Sequence, residues 1–488
     1  MTSQSNQHRP TPVSTTLSTS QLQPTHQEPF HDTLIELSAA LAILQKAKPQ
    51  LKDPGYPRYT RSPIRQLGCS PRFDIAAESG VDLSEILLAF ALVFSKSRKG
   101  GHVVASVIRE QPLKEDASRS LVTVYLTTNN GYWPENYEEY RKKWENSLND
   151  YQAQLSYSGD MWESLIDFCN LRMAEYVENA KDPLLGIREK SQKRELGQDH
   201  KKVLDKLKKW DDVETFLSKV QHLLAHRPGH NHRELLLNAR NILLKFSEKQ
   251  DSFDTLHGCP SQSAGRLIYK CIDNLAKIRR AYLIIARVQR TLTSRGARLK
   301  IEFLGSTYAQ KVGEVIDELV SRHKDTRLER YAAEAKSLVK PQETTSPHCE
   351  IQMLQHFSTA DRNGVWNMIG CSKRPCYVCA GLLEASDFTF HESHGKAYYQ
   401  YFLSAEKWLH DEPGMIQAIQ EMRDEAVRRV KGYTAGNQNH KNVAPDSPVL
   451  QAQHLKNLRR LEISPQPDAN VISILTKQKS HRTPSKNR

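Results

Sequence analysis

The sequence predicts an α/β sandwich over residues 297–434, preceded by a mostly α-helical region over 30–296 and flanked by tails, 1–29 and 435–488, that do not fold. Three observations carry this. After Gly296, strand-like and helix-like segments alternate, the pattern of an α/β layer structure. Between residues 137 and 294 the apolar residues recur at helical spacing. Both ends are polar, rich in proline and serine, and without periodicity.

The bulk composition fits. At 488 residues the chain has room for two to four domains of roughly 100–200 residues each. With 38% hydrophobic and 26% charged residues it is neither collagen-like, nor a bare coiled coil, nor wholly disordered. The longest apolar run, 86–94, is nine residues, well short of the roughly 20 of a membrane helix. The first 30 residues hold no apolar stretch to serve as a signal-peptide core. The expectation from these features is an intracellular protein, cytoplasmic or nuclear, with no membrane partner. In that reducing setting the eight cysteines read as metal ligands, reactive thiols or core residues before they read as disulfides.

From the N-terminus, Leu34, Leu37, Leu41 and Leu44 predict a helix over 33–46, and the prolines of 52–71 predict a loop. A buried helix is expected over 84–95. The Val-rich segments 102–109 and 120–127 predict a small antiparallel pair. The helical region follows, with breaks expected near Pro183, at 226–231 and at 258–260. Its last helix is the clearest, with Ile268, Ile272, Leu275, Tyr282 and Ile285 on one stripe. No repeat period and no chemical motif marks this region. Beyond Gly296, Leu299, Ile301 and Phe303 alternate with charged residues as in a half-buried strand. Helices are expected over 310–323 and 328–339, from Pro347 and from Pro375, and strands over 365–370 and 388–391.

Charge does not mark the chemistry. Of the net +13, residues 435–488 contribute nine Lys/Arg against three Asp/Glu, whereas 298–434 carry eighteen against nineteen. The excess lies in the C-terminal arm and the helical region, where it reads either as a solvated basic surface or as contact with RNA or DNA phosphates. The basic clusters at 456–460 and 477–482 also suit nuclear import.

Two short motifs stand out, Pro347-His348-Cys349-Glu350 and Pro375-Cys376-Tyr377-Val378-Cys379. Proline suits the first position of a helix, where its missing N–H would have no partner, so each motif is expected in a first helical turn. Three residues apart, Cys376 and Cys379 share a helix face, and the helix start favours their thiolates. With His348 they form a His/Cys/Cys set for a single Zn2+, leaving a fourth position to water. Such a zinc supplies hydroxide near neutral pH as a nucleophile, and Glu350, two residues beyond His348, is placed to shuttle the protons. H-x-E followed by P-C-x-x-C is the pattern of zinc-dependent nucleobase deaminases. In a chain of this composition it should arise by chance roughly once in several thousand sequences.

Other readings of these residues stay open. Cys371, Cys376 and Cys379 with His391 or His394 have the spacing of a structural four-ligand zinc knuckle. Without metal, the cysteines would be reduced core residues, and Cys349 is expected to pack away from the site. Cys69, Cys169, Cys259 and Cys271 show no ligand spacing. His323 and His356 fall on helical patterns as surface or core residues. Lys373 and Arg374, just before the second motif helix, read either as contacts to a substrate phosphate or as plain surface charge. His394-Gly395-Lys396 reads as a turn or a substrate contact, and Tyr398, Tyr399, Tyr401, Phe402 and Trp408 as core or as a stacking platform.

The stretch His348-Cys349-Glu350, Ile369-Gly370-Cys371-Ser372-Lys373-Arg374-Pro375-Cys376-Tyr377-Val378-Cys379 and His394-Gly395-Lys396 resembles a deaminase-like family expanded in filamentous fungi. That family lies in the nucleic acid/nucleotide, cytidine deaminase-like, superfamily and has a bacterial-effector prototype. The likeness is close over 345–405 and looser to 434. It implies a cytidine-deaminase-like three-layer sandwich with both motif helices on one face of a mixed sheet. It also implies His348, Cys376 and Cys379 as zinc ligands, Glu350 as proton shuttle, a nucleobase-containing substrate, and roles in RNA or nucleotide modification, conflict or defence. The expected function is therefore a zinc-dependent hydrolytic deaminase. The alternative is a catalytically inactive, zinc-stabilised nucleic-acid-binding or interaction module.

Overall fold

A five-stranded mixed sheet with helices on both faces organises the chain. A computed structural model describes residues 33, 37, 64–67, 74–97, 102–129, 131, 133–150, 160–192, 262–305, 310–311, 317, 344–345, 347–359, 362–391 and 413–434. In order these form α1 (Ile75–Ser79), α2 (Leu83–Val93), β1 (Val104–Pro112), β2 (Ser120–Thr128), α3 (Glu135–Asn149), α4 (Asp160–Gln192) and α5 (Gln262–Arg295). They continue with β3 (Arg298–Leu304), β4 (Gln310–Lys311), β5 (Thr344–Thr345), α6 (Cys349–Thr359), β6 (Met368–Cys371), α7 (Tyr377–Ala385), β7 (Thr389–Phe390) and α8 (Pro413–Thr434). Among the described residues no helix is long and apolar enough to cross a membrane.

The strand order is β3-β2-β1-β6-β7. The β1–β2 hairpin is the antiparallel pair expected, in register from Val104 opposite Thr128 to Pro112 opposite Ser120. Its place is the finding. β2 continues into a parallel pairing with β3, and β1 into an antiparallel pairing with β6, so residues 104–128 form the middle of the sheet. The division expected at 296/297 therefore does not divide the sheet, which takes strands from both sides of it.

Strand alternation sorts the two faces. Val104, Ile108, Val122, Val124, Leu126, Leu299 and Ile301 are buried in one core cluster with α2, α3, α4 and α5. Tyr125, one residue out of phase, meets Phe357 of α6 edge to face on the other side, and the Thr127 hydroxyl reaches Gln352 of α6. α2 is apolar nearly all round and correspondingly buried. Arg280 of α5 pairs with its Glu85, and Arg172 of α4 donates to the Leu92 and Ser95 carbonyls at 3.0 and 3.2 Å, satisfying the end of the helix. β3 is an edge strand, and α3 covers its outer backbone. Asn149 both donates to and accepts from Leu299, Glu145 accepts from the Ile301 N–H and Arg141 donates to the Ile301 carbonyl.

Two expectations change. α4 runs through Pro183 without a break; a proline removes one N–H from the ladder, and the turns on either side carry the helix on. The helix expected from Gln310 does not start there, because Gln310 and Lys311 pair with Thr345 and Thr344. Asp317 is helical. The strand expected over 365–370 is β6, with Val365 and Trp366 making single bridges to Arg109 and Gln66. Thr33 and Leu37 are helical and buried, as expected of the first helix. The rest of 33–46, the breaks at 226–231 and 258–260, the helix over 328–339 and both tails lie outside the described residues.

Candidate metal centre

β2, β3, β6 and β7 run one way and β1 the other, so four strand C-terminal ends share one edge of the sheet. Both motif helices begin there, where open α/β sheets bind their ligands. The Gln352 N–H donates to the His348 carbonyl at 3.0 Å, so His348 caps α6. Cys376 caps α7, with extended backbone (φ −78°, ψ 179°), its Sγ accepting from the Cys379 N–H at 3.4 Å. The two prolines therefore stand one residue before the caps rather than inside the first turns. A cap must hold extended backbone while its carbonyl enters the helix, and the motif histidine and cysteine occupy that position.

Long-range contacts fix the start of α6. Gln352 Nε2 donates to the carbonyls of Thr128 and Pro347, each at 2.7 Å, while its Oε1 accepts from Thr127 Oγ1 at 2.8 Å. Asn129 Oδ1 accepts from the Cys349 N–H at 3.1 Å, across 220 residues of sequence. β6 is anchored in turn by Ser372, whose N–H and Oγ bond the Val104 carbonyl and N–H. Lys373 and Arg374 project into solvent.

This scaffold brings together His348, Cys376 and Cys379, whose ligand atoms all lie within 4.8 Å of one another. Cys379 Sγ and His348 Nδ1 are 3.9 Å apart. A tetrahedral zinc with sulfur at about 2.3 Å and nitrogen at about 2.0–2.1 Å would hold them roughly 3.6 Å apart. The donor set fits that ion with little movement. The cysteines are buried and His348 is half-buried.

Glu350 stands against this group and is 2% exposed. Its Oε2 accepts from Cys349 Sγ at 3.2 Å and from Cys379 Sγ at 3.7 Å, and its Oε1 from Cys371 Sγ at 3.2 Å. Burial holds this carboxyl above the ordinary carboxylate range, against the pull of its hydrogen bonds. Burial also pushes the Cys379 thiol well up, with Cys376 and Glu350 acting in the same direction. The thiolate expected from the helix start alone is therefore outweighed, and a cation is what would restore it.

Cys349 packs as expected, fully buried, yet its sulfur touches Glu350 instead of pointing away. Cys371 joins it, giving a second group of Cys349, Glu350 and Cys371 with atoms within 4.8 Å of one another. Among the described residues neither Cys371 nor His391 lies in the His348 group, so the knuckle arrangement does not form through them. His356 packs on Tyr125 and Phe357, and Cys169 and Cys271 are core residues. Cys69, Cys259, His323, His394, Gly395, Lys396 and the aromatic run 398–408 lie outside the described residues.

Asn129 and Gln352 are the parts of the site that motif reading misses. Spacing holds no signal for a partner 220 residues away. Among families of known proteins, a model described as "OTT_1508_deam:-like deaminase" matches residues 347–404, a stretch that holds both motifs. No curated protein and no solved structure matches the chain.

Proposed function

We propose that the chain is a zinc-dependent deaminase that hydrolyses the exocyclic amino group from a nucleobase, on a cytidine-deaminase-like sandwich. One observation carries the reading. His348, Cys376 and Cys379 converge beside a buried Glu350 within the segment that matches a deaminase family model. His348 Nδ1 and the two cysteine sulfurs would hold the zinc, which when bound supplies a Lewis acid that activates water near neutral pH.

The chain's own residues supply the rest. Glu350 takes one proton from the attacking water and gives it to the ring nitrogen as the oxygen adds at the amidine-like carbon, then takes the second from the added hydroxyl and gives it to the amino group as the C–N bond breaks and ammonia leaves. A carboxyl raised by burial suits this double duty, because it holds a proton at one stage and yields it at the next. Gln352 and Asn129 keep the start of α6 against the end of β2, so that His348 and Glu350 hold their places. The base is free or part of RNA or DNA, and the basic arm and helical region suit the phosphates of a polymer.

The test is zinc stoichiometry together with ammonia release from a panel of bases, nucleosides, nucleotides and oligonucleotides, comparing wild type with Glu350→Ala. One zinc per chain in both, with ammonia released by wild type alone, is the expected result. A variant that deaminates as fast as wild type removes Glu350 from its role. Salt-dependent nucleic-acid binding with no ammonia from any substrate supports instead the inactive binding module that the off-site basic charge suits.

A further inference from the structure

We propose that Cys349 and Cys371 are positioning residues for Glu350, two thiols from different elements that each donate a hydrogen bond to a different oxygen of its carboxylate and hold it facing the metal ligands. The consequence for turnover rests on the deaminase reading above; the clamp itself does not.

Cys349 is the first residue of α6 and Cys371 the last of β6. Their sulfurs lie 4.0 Å apart, with the carboxylate against both, Oε2 at 3.2 Å from Cys349 and Oε1 at 3.2 Å from Cys371. One thiol serves each oxygen, which fixes the rotation of the carboxylate as well as its place. The third thiol in reach, Cys379 at 3.7 Å, would lose its S–H on becoming a metal ligand. Cys349 and Cys371 would keep theirs.

Two donors, one on each oxygen, buried and tethered to separate elements, give the carboxylate a single direction.

The experiment uses the full chain loaded with zinc. Infrared difference spectra in the S–H stretching region compare wild type with Glu350→Ala, Cys371→Ala, Cys371→Ser and Cys349→Ser, and zinc content is measured for each. The Cys349 and Cys371 bands, assigned by their loss in the cysteine variants, are expected to move to higher frequency in Glu350→Ala, with one zinc per chain throughout. In turnover, Cys371→Ala is expected to lower kcat about tenfold with KM within about twofold, and Cys371→Ser to recover most of the loss through its hydroxyl.

S–H bands indifferent to Glu350 overturn the clamp. So does a second zinc per chain that disappears in Cys371→Ala, which would make the pair a metal site, or a Cys349–Cys371 disulfide in the purified protein. Ammonia-silent wild type with bands that move as expected would sink the deaminase reading and leave the clamp standing. An active wild type with a fully active Cys371→Ala would do the reverse.

Discussion

Glu110 is a carboxyl in an apolar place. It lies on β1 with Oε1 accepting from the Ile75 N–H at 3.3 Å, and burial pushes it up to about 8. The folded chain therefore holds a proton that the unfolded chain releases near the ordinary value of 4.5. Stability is expected to be full below that value and to fall as pH rises towards 8. Chemical denaturation at pH 5.5 and at pH 8 should show wild type losing roughly 2–3 kcal/mol more across that interval than Glu110→Gln. Equal slopes would place the proton elsewhere. At the start of α6, Gln352→Leu removes the partners of buried groups on Thr127, Thr128 and Pro347 and should cost roughly 2–4 kcal/mol by the same measurement. Residue spacing alone picked out His348, Glu350, Cys376 and Cys379, because a motif helix displays neighbouring residues at known angles. Gln352, Asn129 and the sulfur contacts of Cys349 and Cys371 were invisible, because each depends on a second element brought up by the fold.

Close approach decides where elements can pack. A Cβ on Gly370 of β6 would lie 2.5 Å from the Leu87 carbonyl carbon and Cβ of α2, both fixed in the core. On α7, a Cβ at Gly381 would meet the Sδ of Met422 on α8 at 2.6 Å, the flexible end of a thioether. Gly370→Ala is therefore expected to destabilise by roughly 2–4 kcal/mol, and Gly381→Ala by about half that or less, in matched thermal melts. Equal costs would contradict the distinction between rigid and yielding neighbours. The β1–β2 pair, β3, α2 and the two motif helices were all legible, since each has a clear period and clear ends. Pro183 misled because the bond and the clash that one proline costs are local, while the turns on either side of it stay helical. Gln310 misled because it leaves the apolar period of its neighbours to pair across to Thr345.

At the scale of the molecule, local pattern found the strands of the five-stranded sheet and missed their order. Which strands are neighbours depends on contacts distant in sequence, and no period within β1 or β2 announces that 298–304 and 368–371 will flank them. The consequence is testable. Residues 297–434 alone lack the two middle strands and are expected to show neither cooperative unfolding nor retained zinc, whereas 74–434 should show both. Cooperative melting of 297–434 with its metal would mean that the shared sheet is dispensable. The most direct measurement is zinc K-edge X-ray absorption on the full chain, which counts donors by kind. Two sulfurs at about 2.3 Å, one imidazole nitrogen at about 2.0–2.1 Å and one further light donor are expected. Three or four sulfurs on the metal, or a purified chain that binds no zinc, would contradict it.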